Sequence, residues 1–85
     1  MKSTAVTVAT TPTLICAADD QNRWIYIHNS GGAKIYVGDS SVTTSTGFHV
    51  ANTESQQFFL PSKETLYGVV ASGTNVINLL TPNVD

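Results

Sequence analysis

Charge is what this sequence does without. Its 85 residues hold 4 Lys and Arg against 6 Asp and Glu, 12% of the chain, where soluble domains average about 25%. Thr, Ser and Asn carry the polarity instead. Neutral hydroxyls and amides enter an interface with far less desolvation penalty than Lys or Glu. The net charge is −2 with no basic cluster, so the means to neutralise phosphates is missing and nucleic acid is an improbable partner. Cysteine is almost absent as well. Cys16 stands alone, which excludes an internal disulfide and fits a reducing compartment. Together with His28 and His49 it forms none of the paired spacings of a structural metal site. No apolar run approaches the ~18 residues of a membrane span. The opening Met1 to Val6 lacks the hydrophobic segment of a signal peptide, so synthesis in the cytoplasm is expected.

Helical periodicity is missing too. No window places apolar residues at i, i+3, i+4 and i+7, and Thr and Val stand where helix formers would be needed. What is present is alternation. The stretch Arg23 to Gly38 (RWIYIHNSGGAKIYVG) has two alternating runs around Asn29, Ser30, Gly31, Gly32 and Ala33, which predicts a hairpin of Arg23–His28 with Lys34–Val37. Further strands are expected at Thr4–Val8, Thr13–Cys16, Phe48–Val50, Gln56–Leu60, Thr65–Ala71 and Asn75–Leu80. The last two are read as a closing hairpin around Ser72, Gly73 and Thr74. Gly38 to Gly47 reads as loop, with a brief strand at Val42. Short strands at about 8–12-residue spacing predict an all-β fold, a small antiparallel β-sandwich or barrel of seven or eight strands and jelly-roll-like. The whole chain, 1–85, is one domain, with 1–12 as a candidate contact arm. A chain this short buries a thin core, about 60–65% of its unfolded surface. With disulfide and metal excluded, oligomerisation or docking on a larger assembly is the expected support.

Nothing in the sequence sets up catalysis. His28, His49, Asp39 and many serines are present, but no nucleophile elbow or Cys/His motif frames them. Asp19 and Asp20 suit a turn better than a calcium loop. Gly31, Gly32 and Gly47 lead into no helix that could bind phosphate. Cys16 lies in an apolar run and reads as an inert core thiol. No catalytic residue, metal, cofactor or small-molecule substrate is expected, and the chain is read as not an enzyme.

The aromatics remain: Trp24, Tyr26, Tyr36, Phe48, Phe58, Phe59 and Tyr67. A sandwich of this size has room for about four of them, at ~150–250 Å² each. Successive strand side chains alternate faces. Trp24 and Tyr26 therefore oppose Ile25 and Ile27, and Phe58 opposes Phe59. Strands apolar on both faces point to a second packing partner. Trp24, Tyr26, Tyr36, Phe59 and Tyr67 are the candidate interface, since Tyr and Trp are common interface anchors. A sugar platform is the competing use, with Arg23 beside Trp24 and Tyr26.

The segments TVATTPTLICAADDQNR, WIYIHNSGGAKIYVG, SSVTTSTGFHV and LYGVVASGTNVINLL, spanning most of the chain, resemble in their order a small β-rich protein of tailed-bacteriophage structural modules. The shared marks are the turn Asn29 to Gly31, the Val42-Thr43 to Gly47 loop, and the Ala71-Ser72-Gly73-Thr74 turn before the last strand. The aromatic-rich QQFFLPS departs from the polar strand that the resemblance leads one to expect. The resemblance implies a virion structural protein on the outer capsid surface, most like a capsid decoration (cement) protein. It implies a homotrimer that binds the major capsid protein and clamps neighbouring capsomers. The alternative is a tail-fibre or host-recognition module that binds carbohydrate.

Overall fold

The computed structural model of the protein describes residues 2–82. They form eight strands: β1 (Lys2–Val8), β2 (Thr13–Cys16), β3 (Arg23–His28), β4 (Ile35–Gly38), β5 (Phe48–Val50), β6 (Ser55–Leu60), β7 (Leu66–Val69) and β8 (Asn75–Thr81). No helix occurs among the described residues. The all-β expectation holds, and most strand bounds fall within two residues of those read from alternation. The residues read as a contact arm are, over Lys2–Val8, a sheet strand. Met1 lies outside the described residues.

The strands divide into two antiparallel four-stranded sheets, β1-β8-β3-β6 and β2-β7-β4-β5. The pairs β1·β8, β2·β7, β3·β6 and β4·β5 are nested, as if one long hairpin had been folded at the β4–β5 turn. Rolling that hairpin brings β3 against β8 and β4 against β7. This is the strand order of a jelly roll.

The topology corrects both predicted hairpins. β3 and β4 lie in different sheets, as do β7 and β8. The physical reason for the first is Asn29. Its side chain turns inward and is fully buried, donating to the carbonyls of Ala33 at 2.8 Å and Val50 at 3.0 Å. Its Oδ1 accepts from Gly31 N at 3.2 Å and from Asn75 Nδ2 at 2.7 Å. The loop is thus tied to β5 and to the start of β8 instead of closing a tight turn. A six-residue connection is also ample to cross the ~10 Å between packed sheets. At the other arch Gly73 takes φ +66, and Val70 N donates to Ala9 O at 3.0 Å. This bond draws the end of β7 toward the β1–β2 connection rather than toward β8.

The core is aliphatic throughout. Ile25, Ile27, Ile35, Ile77, Val8 and Val50 are fully buried, and no aromatic is among the buried residues. The interior room for about four aromatics goes to aliphatic side chains instead: Tyr36, Phe58 and Tyr67 are half-buried and Trp24, Tyr26, Phe48 and Phe59 exposed. Along β3 the alternation sends Ile25 and Ile27 in and Trp24 and Tyr26 out. β-Branched side chains of this size fill the narrow gap between the sheets and favour the extended backbone. Phe58 packs only at the margin, where its ring meets Phe48 edge-on at 5.6 Å. That pair closes the side of the sandwich between β5 and β6, the edge strands of their respective sheets.

Candidate functional site: the bare face of one sheet

The outer face of the β1-β8-β3-β6 sheet is fixed by register. Ser3, Leu80, Tyr26 and Gln57 form one cross-strand row, and Ala5, Asn78, His28 and Ser55 the next. Trp24 and Phe59 face each other one row further along, and Val76 lies opposite Thr7 at the other end. None of these side chains is Asp, Glu, Lys or Arg. Large apolar groups stand in the open, with Trp24 52%, Phe59 47%, Tyr26 40% and Leu80 36% exposed. Trp24 and Phe59 pack edge-to-face at 5.2 Å, an arrangement that orients both rings beyond what area burial alone would do. Beside them Gln57 Nε2 donates to the Tyr26 hydroxyl at 3.3 Å.

Below the aromatic cluster is a shallow depression of about 160 Å³ lined by Ser3, Tyr26, His28, Ser55, Asn78 and Leu80. His28 Nδ1 and Ser55 Oγ sit 2.9 Å apart across strands β3 and β6. A nucleophile beside a base is half of a catalytic arrangement, and the other half is a group that orients the base. Among the described residues no carboxylate is hydrogen-bonded to this histidine, and no three His, Cys, Asp or Glu converge to hold a metal ion. The chemistry on offer is apolar contact with neutral hydrogen-bonding groups at its border.

The five candidate interface residues do not stay together. Trp24, Tyr26 and Phe59 form the cluster just described. Tyr36 and Tyr67 belong to β4 and β7 in the other sheet and are half-buried. Tyr36 packs near His49 at 6.5 Å, and Tyr67 lies opposite Leu14 and Gly38. Leu80 and Val76 belong with the exposed apolar face, and alternation within β8 could have found them. Ile77 and Leu79 point inward, so Val76, Asn78 and Leu80 point out.

The outer face of the second sheet is covered around Gly38 and Val69 by the chain's own β4–β5 loop, while Leu14 and His49 on that face stay exposed. Val42, read as a brief strand, is instead a buried plug only 3% exposed. Its Cγ2 lies 3.0 Å from where a Cβ on Gly38 would stand and 2.9 Å from one on Gly47. Small residues at both ends of the loop are what let it fold down. Thr43 holds the loop's shape, its carbonyl accepting from Gly47 N at 2.8 Å and its hydroxyl lying 3.0 Å from that of Thr46. Val69 is 4% exposed on the face beneath.

Arg23 leaves the sugar-platform reading. Its side chain points to the interior face and is 7% exposed. The guanidinium donates to the carbonyls of Ala17, Gln21 and Glu64 and approaches Cys16 Sγ at 3.7 Å. It closes one end of the sandwich by satisfying loop carbonyls, so it presents no donor beside Trp24. Cys16 is buried beneath it. No protein-family model matches the chain, and no curated protein matches it either.

Proposed function

We propose that this protein is a virion structural protein, a capsid decoration or cement protein that binds the outer capsid surface as an oligomer and stabilises contacts between capsomers. One observation carries the reading: one sheet presents a face without Asp, Glu, Lys or Arg and with Trp24, Tyr26, Phe59 and Leu80 in the open, while part of the opposite sheet is covered by its own loop. A bare apolar patch framed by neutral polar groups is built to adhere to protein, since it buries no unpaired charge on docking. Four large exposed side chains make a small patch beside the ~800 Å² per partner, or ~20–30 residues a side, of a standard stable interface. Adhesion through such a patch gains strength from repetition, because linked sites bind at high effective concentration. Jelly rolls serve in viral capsid domains and in lectins alike, so the argument rests on the face rather than on the fold.

The test mixes purified protein with empty shells of the phage that encodes it and follows co-sedimentation and shell melting temperature. The expected result is binding with a raised melting temperature, both lost in the Trp24→Ser/Phe59→Ser variant. Both side chains are about half exposed, so the variant keeps its fold. Unchanged shell binding by that variant would refute the assignment. A second reading, a carbohydrate-binding module for host recognition, draws on the depression where Tyr26 meets Asn78, His28 and Ser55. It requires saturable binding of neutral oligosaccharides, read from quenching of the single tryptophan, and no affinity for shells.

A further inference from the structure

Each sheet has two edge strands, and they are not equally guarded. β2 carries a bulge between Leu14 and Cys16 with Pro12 just before it, and β5 is only three residues long. β6 also runs in unbroken register, without bulge, proline or charge, but its inward side chains already fill the core, with Leu60 buried and Gln56 and Phe58 half-buried. β1 has neither a guarded edge nor a fully used inner face. It runs seven residues in unbroken register with β8, without proline or bulge, and its one charge, Lys2, stands at the end. Lys2, Ser3, Thr4 and Ala5 are exposed, although they alternate between the two faces of the sheet. Its first half thus contributes little to the monomer's core while offering an unpaired backbone edge, which is a template for another strand.

We propose that a second copy of this chain occupies that edge, the two β1 strands pairing antiparallel about a two-fold axis through Ala5. Ala5 is the midpoint of Lys2–Val8, so this is the two-fold register that pairs the strand along its whole length. It sets Ser3 opposite the partner's Thr7 and Thr4 opposite the partner's Val6. The two Lys2 side chains fall at opposite ends, roughly 20 Å apart at ~3.4 Å per residue, beyond strong mutual repulsion. Ser3, Ala5 and Thr7, the residues β1 gives to the outer face, are small and uncharged, so nothing obstructs the approach. The product is one eight-stranded sheet. An axis perpendicular to the sheet leaves both Trp24–Tyr26–Phe59 clusters on the same side, which makes the dimer a bivalent adhesive. That last consequence rests on the proposed adhesive function, whereas the dimer itself does not. This two-fold differs from the three-fold assembly that the sequence resemblance implies, and the mass in solution distinguishes them.

Ala5 alone faces itself across the axis. Directly opposed Cβ atoms lie about 4.5–5.5 Å apart, close to disulfide reach, and the native Cys16 is buried out of the way. The experiment measures mass by light scattering and sedimentation equilibrium, then oxidises Ala5→Cys and Ser3→Cys separately. The expected results are twice the chain mass for the native protein, a covalent dimer from Ala5→Cys, and little from Ser3→Cys. Ala5→Lys, which sets two ammonium groups face to face, should give a monomer with native circular dichroism. A native protein that stays monomeric, a mass of three chains, or equal cross-linking of both cysteine variants would overturn the proposal. A dimer that ignores capsid shells would leave it standing and remove only the adhesive reading.

Discussion

Asn29→Ala should destabilise the protein more than any comparable change in a loop, and the size of the effect follows from bond partners. Four hydrogen bonds are lost, to Ala33 O, Val50 O, Gly31 N and Asn75 Nδ2. They are not equivalent. Ala33 O keeps its bond from Asn75 Nδ2 at 2.9 Å, which also leaves that donor satisfied. Each of these two losses is worth about 0.5–1 kcal/mol. Gly31 N and Val50 O instead lose their partner on this side chain, at about 1–3 kcal/mol each in a buried setting. The sum centres on ~5.5 kcal/mol, against a total stability of roughly 4–13 kcal/mol for a chain of this length. Asn75→Ala provides the internal control. Its removal strands only Ala33 N, bonded to Asn75 Oδ1 at 3.3 Å, because Asn29 Oδ1 retains Gly31 N and Ala33 O retains Asn29 Nδ2. With the two shared bonds from Asn75 Nδ2 counted as above, it should lose about 3.5 kcal/mol. Urea unfolding with an unchanged slope would give both values. The double variant should fall short of their sum, because the two residues share a bond. An Asn29→Ala loss below 1 kcal/mol, or one no larger than that of Asn75→Ala, would refute the reasoning.

Gly31→Ala should also destabilise, since a Cβ there would stand 1.8 Å from Asn75 Oδ1; in an Asn75→Ala background it should add little further loss, read as paired melting temperatures. Thr53 holds φ +63, a left-handed conformation that a β-branched residue resists. Thr53→Asn should therefore gain up to about 1 kcal/mol, a rise of roughly 4–8 °C in Tm, and a fall in Tm would argue against strain at this turn. Val42→Ala should lose about 2 kcal/mol and speed proteolysis within residues 39–47, whereas a truly solvated loop valine would give almost no change.

The strands were legible because alternation is a local signal, and β3 shows how far that signal reaches. Trp24, Ile25, Tyr26 and Ile27 disclose a strand with two unlike apolar faces. Which face is inner depends on the gap between sheets, a property of the other sheet that the segment itself does not encode. The gap selects the isoleucines, which leaves Trp24, Tyr26 and Phe59 together outside and sends Tyr36 and Tyr67 to the far sheet. Turn residues misled for a related reason. Asn and Gly specify that the chain reverses, and an arch between sheets needs a reversal as much as a hairpin does. The deciding contact, Asn29 with Asn75, spans 46 positions. The inward course of Arg23 has the same ground, for its carbonyl partners at Ala17 and Glu64 lie in two other loops.

The asymmetry between the two outer faces has a topological origin. Strands β1 to β8 alternate between sheets at every connection but one, since β4 and β5 are neighbours in the same sheet. Every other connection is an arch at an end of the sandwich and is used up in crossing the core. Only the β4–β5 loop is free to fold over a face. It runs through residues 39–47, where a tight hairpin would need about two. The surplus is the segment that buries Val42 and shelters Val69. The β1-β8-β3-β6 sheet has no within-sheet connection from which such a cover could be made. Among the described residues no loop of the chain lies over its outer face, where Trp24, Tyr26, Phe59 and Leu80 stay exposed. Charged side chains would have kept it soluble in isolation, as they do on ordinary sandwich surfaces. That the sequence places Trp24, Tyr26, Phe59 and Leu80 there, and no Asp, Glu, Lys or Arg, is the reason to read the face as a binding surface rather than a second, unfinished core.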